Sequence, residues 1–204
     1  MGIYRKFAEQ LARPRGAGGR MLGKVMDLAN RKPVRRAIDL LEPQDGQNIL
    51  DAGCGTGEAL AQVLRRASCT VTGVDLSSTM LAATRSRLGP QAILKNTTIE
   101  QASLAPASFD AALALNVLYF CGADGAMLKA IHRALRPGGR FVAYVTHRDT
   151  MERWPFVSAG LHRLYTENEL RMVLEKNGFA PEGIAVHSAP VTRGVRGIWA
   201  LAIR

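Results

Sequence analysis

Asp51, Gly53, Gly55 and Gly57 stand within seven positions, in the run Ile49-Leu50-Asp51-Ala52-Gly53-Cys54-Gly55-Thr56-Gly57. Glycine has no Cβ, so such a run can take positive φ and let backbone come close to a ligand. Ile49 and Leu50 read as the end of a buried strand, and Glu58, Ala59, Leu60, Gln62, Val63 and Leu64 open a helical pattern. A glycine turn joining a strand to a helix N-terminus is how open α/β sheets hold nucleotide-type ligands. The next strand, Thr70-Val71-Thr72-Gly73-Val74, ends on Asp75, with Leu76 beside it. A carboxylate there can accept hydrogen bonds from both hydroxyls of a ribose. Together these residues ask for an adenosine-bearing ligand.

Charge narrows the ligand. A dinucleotide rests its pyrophosphate on the helix N-terminus and usually shows Gly-x-Gly-x-x-Gly. Here the spacing is Gly-x-Gly-x-Gly, with Asp51 two residues before the first glycine. That carboxylate would repel a phosphate but suits a cation, which argues against an NAD-dependent dehydrogenase. S-adenosyl-L-methionine carries both a sulfonium and an α-amino group. Cys54, inside the turn, reads as a small filler rather than a nucleophile.

The elements that must position these groups follow from the rest of the chain. At 204 residues and 47% apolar content, there is enough material for one well-buried core. Apolar runs of 18 or more are absent, so no spanning helix is expected, and no signal peptide pattern follows Arg5 and Lys6. Cys54, Cys69 and Cys121 are odd in number and widely spaced, giving neither a metal spacing nor a disulfide framework. That usage favours a reducing cytoplasm. Strands near 48–52, 69–75, 91–95, 110–116 and 140–146 alternate with helices near 57–67, 77–88, 123–135 and 166–177. Such alternation demands right-handed parallel crossovers. Two more strands, near 180–188 and 196–203, are read as joined through Ala189-Pro190-Val191 and a Thr-Arg-Gly turn.

The net charge of +10 is concentrated at the start. Residues 1–36 hold ten Lys and Arg against Glu9 and Asp27, a net +8. Residues 1–45 read as a basic helical extension or cap, and 46–204 as the ligand-binding domain. Within the extension, Ile3, Phe7 and Leu11 have helical spacing, and Pro14 to Gly19 breaks that helix. Met21, Leu22, Val25, Met26 and Ala29 form a second amphipathic stretch, and Pro33 opens a third helix.

Further motifs resemble, in order, those of the class I S-adenosylmethionine-dependent methyltransferase family, in particular its small ubiquinone/menaquinone- or phospholipid-methyltransferase-like members. Ser108-Phe109-Asp110 followed by Ala111 to Asn116 is similar to its fourth-strand motif. Leu135-Arg136-Pro137-Gly138-Gly139-Arg140-Phe141-Val142 is similar to its turn and fifth strand. Tyr165 to Leu170 and Asn177-Gly178-Phe179 resemble the ends of its last helix. The resemblance runs from Ile49 to the C-terminus. It implies an α/β, Rossmann-like, doubly wound seven-stranded sheet of order 3-2-1-4-5-7-6, strand 7 antiparallel, plus the N-terminal helices. It also implies S-adenosyl-L-methionine as cofactor. The family usually places an acid against the adenine amino group; the matching segment here is Glu100-Gln101-Ala102. The Gln101 side chain can accept from that amine, and the Ala102 N–H can donate to the ring.

Methyl transfer from a sulfonium is an in-line displacement with a neutral thioether leaving, so positioning supplies much of the catalysis, with effective molarities on the order of 10⁵–10⁸ M. An acceptor that starts protonated needs a base as well. His147, ending the fifth strand, is the first candidate; the alternative is a strand-end residue hydrogen-bonded locally. Asn116 is expected to face the methionine part of the cofactor, with Tyr119 contacting the acceptor. The segment Arg148 to Leu164 carries Trp154, Pro155 and Phe156 and is expected to shape the acceptor pocket together with the N-terminal helices; the alternative is a plain surface loop. Its cations (Arg148, Arg153 and Arg163) favour an acidic or neutral acceptor.

Three readings of the basic extension stand side by side. It covers the cofactor; it rests on anionic lipid through residues 1–36, with a phospholipid or quinone-precursor acceptor; or it holds RNA, against which few aromatics interleave its cations. A small-molecule or lipid acceptor is therefore expected, and nucleic acid is not. A different class also fits these motifs, a catalytically silent protein that keeps the cofactor and scaffolds a partner.

Overall fold

The computed structural model describes residues 16–160 and 162–204. Seven strands form one sheet: β1 (Asn48–Ala52), β2 (Thr70–Val74), β3 (Ala92–Lys95), β4 (Phe109–Leu115), β5 (Leu135–Thr146), β6 (Ile184–Thr192) and β7 (Val195–Ile203). Their order is β3-β2-β1-β4-β5-β7-β6, with β7 antiparallel to both neighbours. The helices are α1 (Gly16–Leu41), α2 (Glu58–Arg66), α3 (Ser78–Leu88), α4 (Ala126–Ala134), the single-turn α5 (Arg148–Met151) and α6 (Glu167–Lys176).

Both faces of the sheet are covered, which is why β4 reads as an unbroken apolar run rather than an alternating one. Ala112 and Ala114 pack with Leu128, Ile131, Leu170 and Leu174 of α4 and α6. Ala111 and Leu113 face the other way, into a cluster with Val34, Ile38 and Leu41 of α1 and Leu60 and Val63 of α2. Helix α6 starts at a capping box, where the Thr166 side chain meets the Glu169 N–H and Glu169 reaches back to the Thr166 N–H.

Three elements differ from the sequence reading. The two helices expected at 21–29 and from Pro33 are one, Gly16–Leu41, with Pro33 inside it. Proline in a helix interior costs about 3 kcal/mol through a lost hydrogen bond and a ring clash. Packing offsets this: Ala37, Ile38 and Leu41 are fully buried, and the Pro33 carbonyl accepts from Trp199 Nε1 at 3.1 Å. Gly16 to Gly19, read as part of a break, belong to the same helix; the helix expected from Ile3, Phe7 and Leu11 lies outside the described residues. Strand β6 starts at Ile184 rather than near 180 and runs on through Ala189 and Pro190, which pair with Gly197 and Arg196. Because β6 is an edge strand, a residue without an N–H can sit in it. Finally, β5 begins at Leu135, paired with Phe109, before a bulge over the Pro-Gly-Gly segment resumes pairing at Arg140 and Ala111.

No helix among the described residues is long and apolar enough to cross a membrane.

Candidate active site

The strand order reverses between β1 and β4, and a cleft opens there beyond the carboxyl ends of β1, β2 and β4, where open α/β sheets bind ligands. It holds a cavity of about 280 Å³. Its floor is the turn after β1, where Gly53, Gly55 and Gly57 have φ of 78°, 52° and 76°. At Gly53 a Cβ would stand 2.7 Å from Val117, and at Gly57 2.6 Å from Thr84. These two positions need glycine both for their φ and for the close approach of β4 and α3.

Two carboxylates face this cleft in different states. Asp75 accepts from Gly55 N–H at 2.9 Å with one oxygen and from Ser77 N–H at 2.7 Å with the other. Burial still holds its carboxyl above the ordinary range. Asp51 is only 2% exposed, and no donor among the described residues meets its carboxylate. Burial, and then the nearby Asp75, push its carboxyl up to about 7. An acid in that condition lacks a cation. Cys54 and Leu76 also line the cleft. Burial holds the Cys54 thiol well above its ordinary value, so it stays protonated and inert.

Asn116 lines the far side with φ 58°, its backbone N–H bonded to the Tyr144 carbonyl at 2.8 Å. Its side chain donates to Asn30 Oδ1 at 3.0 Å and accepts from the Tyr119 hydroxyl at 3.1 Å. That hydroxyl also accepts from Thr146 N–H at 2.5 Å, and burial pushes it up to about 12. Tyr119 does not line the cleft; it lines a hollow beyond Phe120.

Gln101 and Ala102 are also outside the cleft wall. Gln101 is exposed, and its N–H turns back to Thr98. Ala102 is buried; its N–H points to the Ile99 carbonyl, and its own carbonyl accepts from Lys95 Nζ. Thr97, Thr98, Ile99 and Glu100 line the cleft in their place. Glu100, one position before Gln101, is the acid of this segment that lines the cleft.

His147 lies at the end of β5, 5% exposed and absent from the cleft lining. Its Nδ1 accepts from Asp149 N–H at 3.1 Å, so the ring proton is on Nε2, 3.0 Å from Glu167 Oε2. The other Glu167 oxygen meets Ser188 Oγ and Arg196 Nη2 at 2.9 Å. The Ser188 hydrogen bond first, then His147, holds the Glu167 carboxyl below its usual range. Both nitrogens of His147 are occupied in a brace between α5, α6 and the β6–β7 hairpin.

The sequence reading set the N-terminal helices over the cofactor and beside the acceptor but named no residue of α1 as part of the site. Gly23, Met26, Asp27, Asn30 and Val34 line the cleft from one helix face. Asp27 accepts from the Thr56 hydroxyl at 2.5 Å and pairs with Arg87 at 2.7 Å, and Arg87 also pairs with Glu58 at 3.0 Å. Asp27 as one of only two acids among ten cations was the available signal.

A family profile described as a methyltransferase domain matches residues 49–139, from the glycine turn to the start of β5. Residues 49–139 are thus similar to a methyltransferase domain, which agrees with the resemblance to the class I S-adenosylmethionine-dependent methyltransferases. An O-methyltransferase of Pyrenophora dematioidea is 28% identical over 169 residues, covering 76% of this chain and 62% of that protein. A malonyl-[acyl-carrier protein] O-methyltransferase of Pseudescherichia vulneris is 35% identical over 137 residues, covering 63% and 53%. The chain thus spans less than two thirds of the length of these relatives. In fold, it is similar to the Burkholderia thailandensis 1,6-didemethyltoxoflavin-N1-methyltransferase solved with its acceptor and S-adenosylhomocysteine. The TM-score is 0.74 at 24% identity, covering 99% of this chain and 87% of that one.

Proposed function

We propose that this chain transfers a methyl group from S-adenosylmethionine to a small-molecule acceptor. The observation that carries the reading is Asp51, a buried carboxylate at the end of β1 that no donor among the described residues meets. A cationic ligand would restore its ionised form, and among the described residues no cationic side chain lines the cleft to do so. S-adenosylmethionine, when bound, supplies an electrophilic methyl on a sulfonium that leaves as a neutral thioether. Asp51 would take the ammonium, Asp75 the ribose hydroxyls, the glycine turn and Asn116 the methionine side, and Thr97 to Glu100 the base. On this reading α1, within the cap of residues 1–45, closes the cleft of the 46–204 body against water.

Among the described residues no histidine, lysine or tyrosine lines the cleft, and its acids Asp27 and Glu58 are both paired with Arg87. Positioning of an acceptor that is already nucleophilic therefore fits the site better than base catalysis, with His147 and Tyr119 as positioning residues. The O-methyltransferase names of the relatives agree with an oxygen acceptor such as a carboxylate. Calorimetry tests the cofactor: S-adenosylhomocysteine should bind at micromolar levels and NAD should not, and the reverse would end the reading. Turnover with a metabolite panel then separates an enzyme from a silent scaffold, which would bind tightly yet never turn over. The free cysteines fit a cytoplasmic setting.

A second reading, contact with anionic lipid, is favoured by the outer face of α1. Met21, Val25 and Leu28 are 72%, 56% and 76% exposed on one stripe, and Lys32 and Arg35 continue it one and two turns on. Apolar residues beside cations on one helix face suit a headgroup boundary. Sedimentation with phosphatidylcholine vesicles, with and without phosphatidylserine, tests it. Binding should need phosphatidylserine and be lost in Leu28→Asp; equal behaviour of the two vesicle types would refute it.

A further inference from the structure

Beside the cleft lies a second hollow of about 620 Å³, and Phe120 lines both. Three features of its wall are unused by the reading above. Arg163 and Lys176 line it, and neither forms an ion pair with any acid among the described residues. His162 lines it with a buried Nδ1 that has no hydrogen-bond partner. Burial lowers the affinity of that ring for a proton, so it is held neutral and offers a hydrogen bond rather than a charge. The ring sits among aromatic faces, 5.3 Å from Phe120, 5.6 Å from Phe156 and 6.0 Å from Tyr119.

We infer that this hollow is the acceptor subsite for a planar organic acid, whose carboxylate meets Arg163 and Lys176 while its flat body lies against Phe120 and His162. This rests on the methyltransferase reading for its purpose, since Phe120 then divides the reacting end of the acceptor from its acidic end. Two cations without an ion pair, set beside aromatic rings, recognise an anion with an unsaturated body, and the guanidinium offers the carboxylate a two-point grip. Asp124, an acid in the same loop, does not line the hollow; its carboxylate accepts from the Ala126 N–H at 3.2 Å. The lining comes from separate segments, Tyr119, Phe120, Cys121 and Ala123 after β4, Gly160, His162 and Arg163 before α6, and Lys176 at its end. No single motif could have announced them.

The test uses the full chain without cofactor and two probes of one shape, benzoate and benzamide, followed by amide NMR shifts. Benzoate should shift Phe120, His162 and Arg163 and bind about tenfold more tightly than benzamide, the preference a charge-assisted contact gives. Arg163→Gln/Lys176→Gln should remove that preference while leaving S-adenosylhomocysteine affinity unchanged. Lys176→Gln alone, an exposed change that spares the Arg163 stack on Tyr165, should reduce it several-fold. Equal binding of the two probes, shifts elsewhere, or full benzoate binding by the double variant would overturn the inference. Because the probes are read without cofactor, a failure of S-adenosylhomocysteine to bind would count only against the methyltransferase reading.

Discussion

The ends of β1 and β5 each gather acidic chemistry, and they treat it in opposite ways. At β5, Glu167 is met by His147, Ser188 and Arg196, so every charge there has a partner. At β1, burial and then Asp75 raise the Asp51 carboxyl, and no cationic side chain among the described residues lines the cleft. Removing one partner of a charge pair costs stability, and a buried charge with no partner costs it until something arrives. The satisfied cluster is therefore architecture, and the unsatisfied one is, on the proposed function, the binding site. This is why His147, a reasonable base on sequence grounds, is better understood as part of a brace.

Substitution can break that comparison, and the largest effect is expected at Asp51. With its carboxyl raised to about 7, the folded chain holds this proton more tightly than the unfolded chain does. The stability it permits is complete below the usual carboxylate range and is lost as pH rises through about 7. Asp51→Asn should therefore gain on the native chain by on the order of 2–4 kcal/mol between pH 4 and pH 8, read by urea unfolding. Parallel stability curves would show that Asp51 is not unsatisfied. The same variant should bind S-adenosylhomocysteine less well.

Asp75→Ala should weaken S-adenosylhomocysteine by about 1.5–3 kcal/mol, the worth of a charged acceptor, in a calorimetric titration. At the other pole, Glu167→Ala should cost about 1–2 kcal/mol of stability by stranding His147 and Arg196, yet leave cofactor affinity unchanged. The sign with pH is opposite to that of Asp51. Glu167 titrates below its ordinary value, so its contribution is present above the usual carboxylate range and fades as pH falls through the depressed one. A fall in cofactor affinity in this variant would contradict the division between brace and site. Smallest of all, Asp27→Asn should cost under about 1 kcal/mol, since the Asp27–Arg87 pair is partly exposed. Hydrogen exchange in α1 should nonetheless rise, because Thr56 and Arg87 both hold the helix through that one carboxylate.

Much of this was legible in residue order. Glycines at 53, 55 and 57, a carboxylate on either side and the alternation of strand and helix are local patterns, and local backbone chemistry enforces them. The sheet order and the antiparallel last strand followed from the family resemblance. Gln101 and Ala102 illustrate the limit: a motif match is good to a residue or so, while a cleft wall alternates with each residue of a turn. Pro33 illustrates another, since no local rule keeps a helix going through proline.

What the chain carries in its order alone is the ligand turn, because positive φ and buried carboxylates are written residue by residue. Only the folded arrangement decides which titratable groups are spent and which are free. Glu167 and Ser188, distant in sequence from His147, satisfy it; residues 120, 162, 163 and 176 share a hollow without sharing a motif. Whether a charge is paired depends on long-range packing, and packing sums over the whole core rather than along the chain.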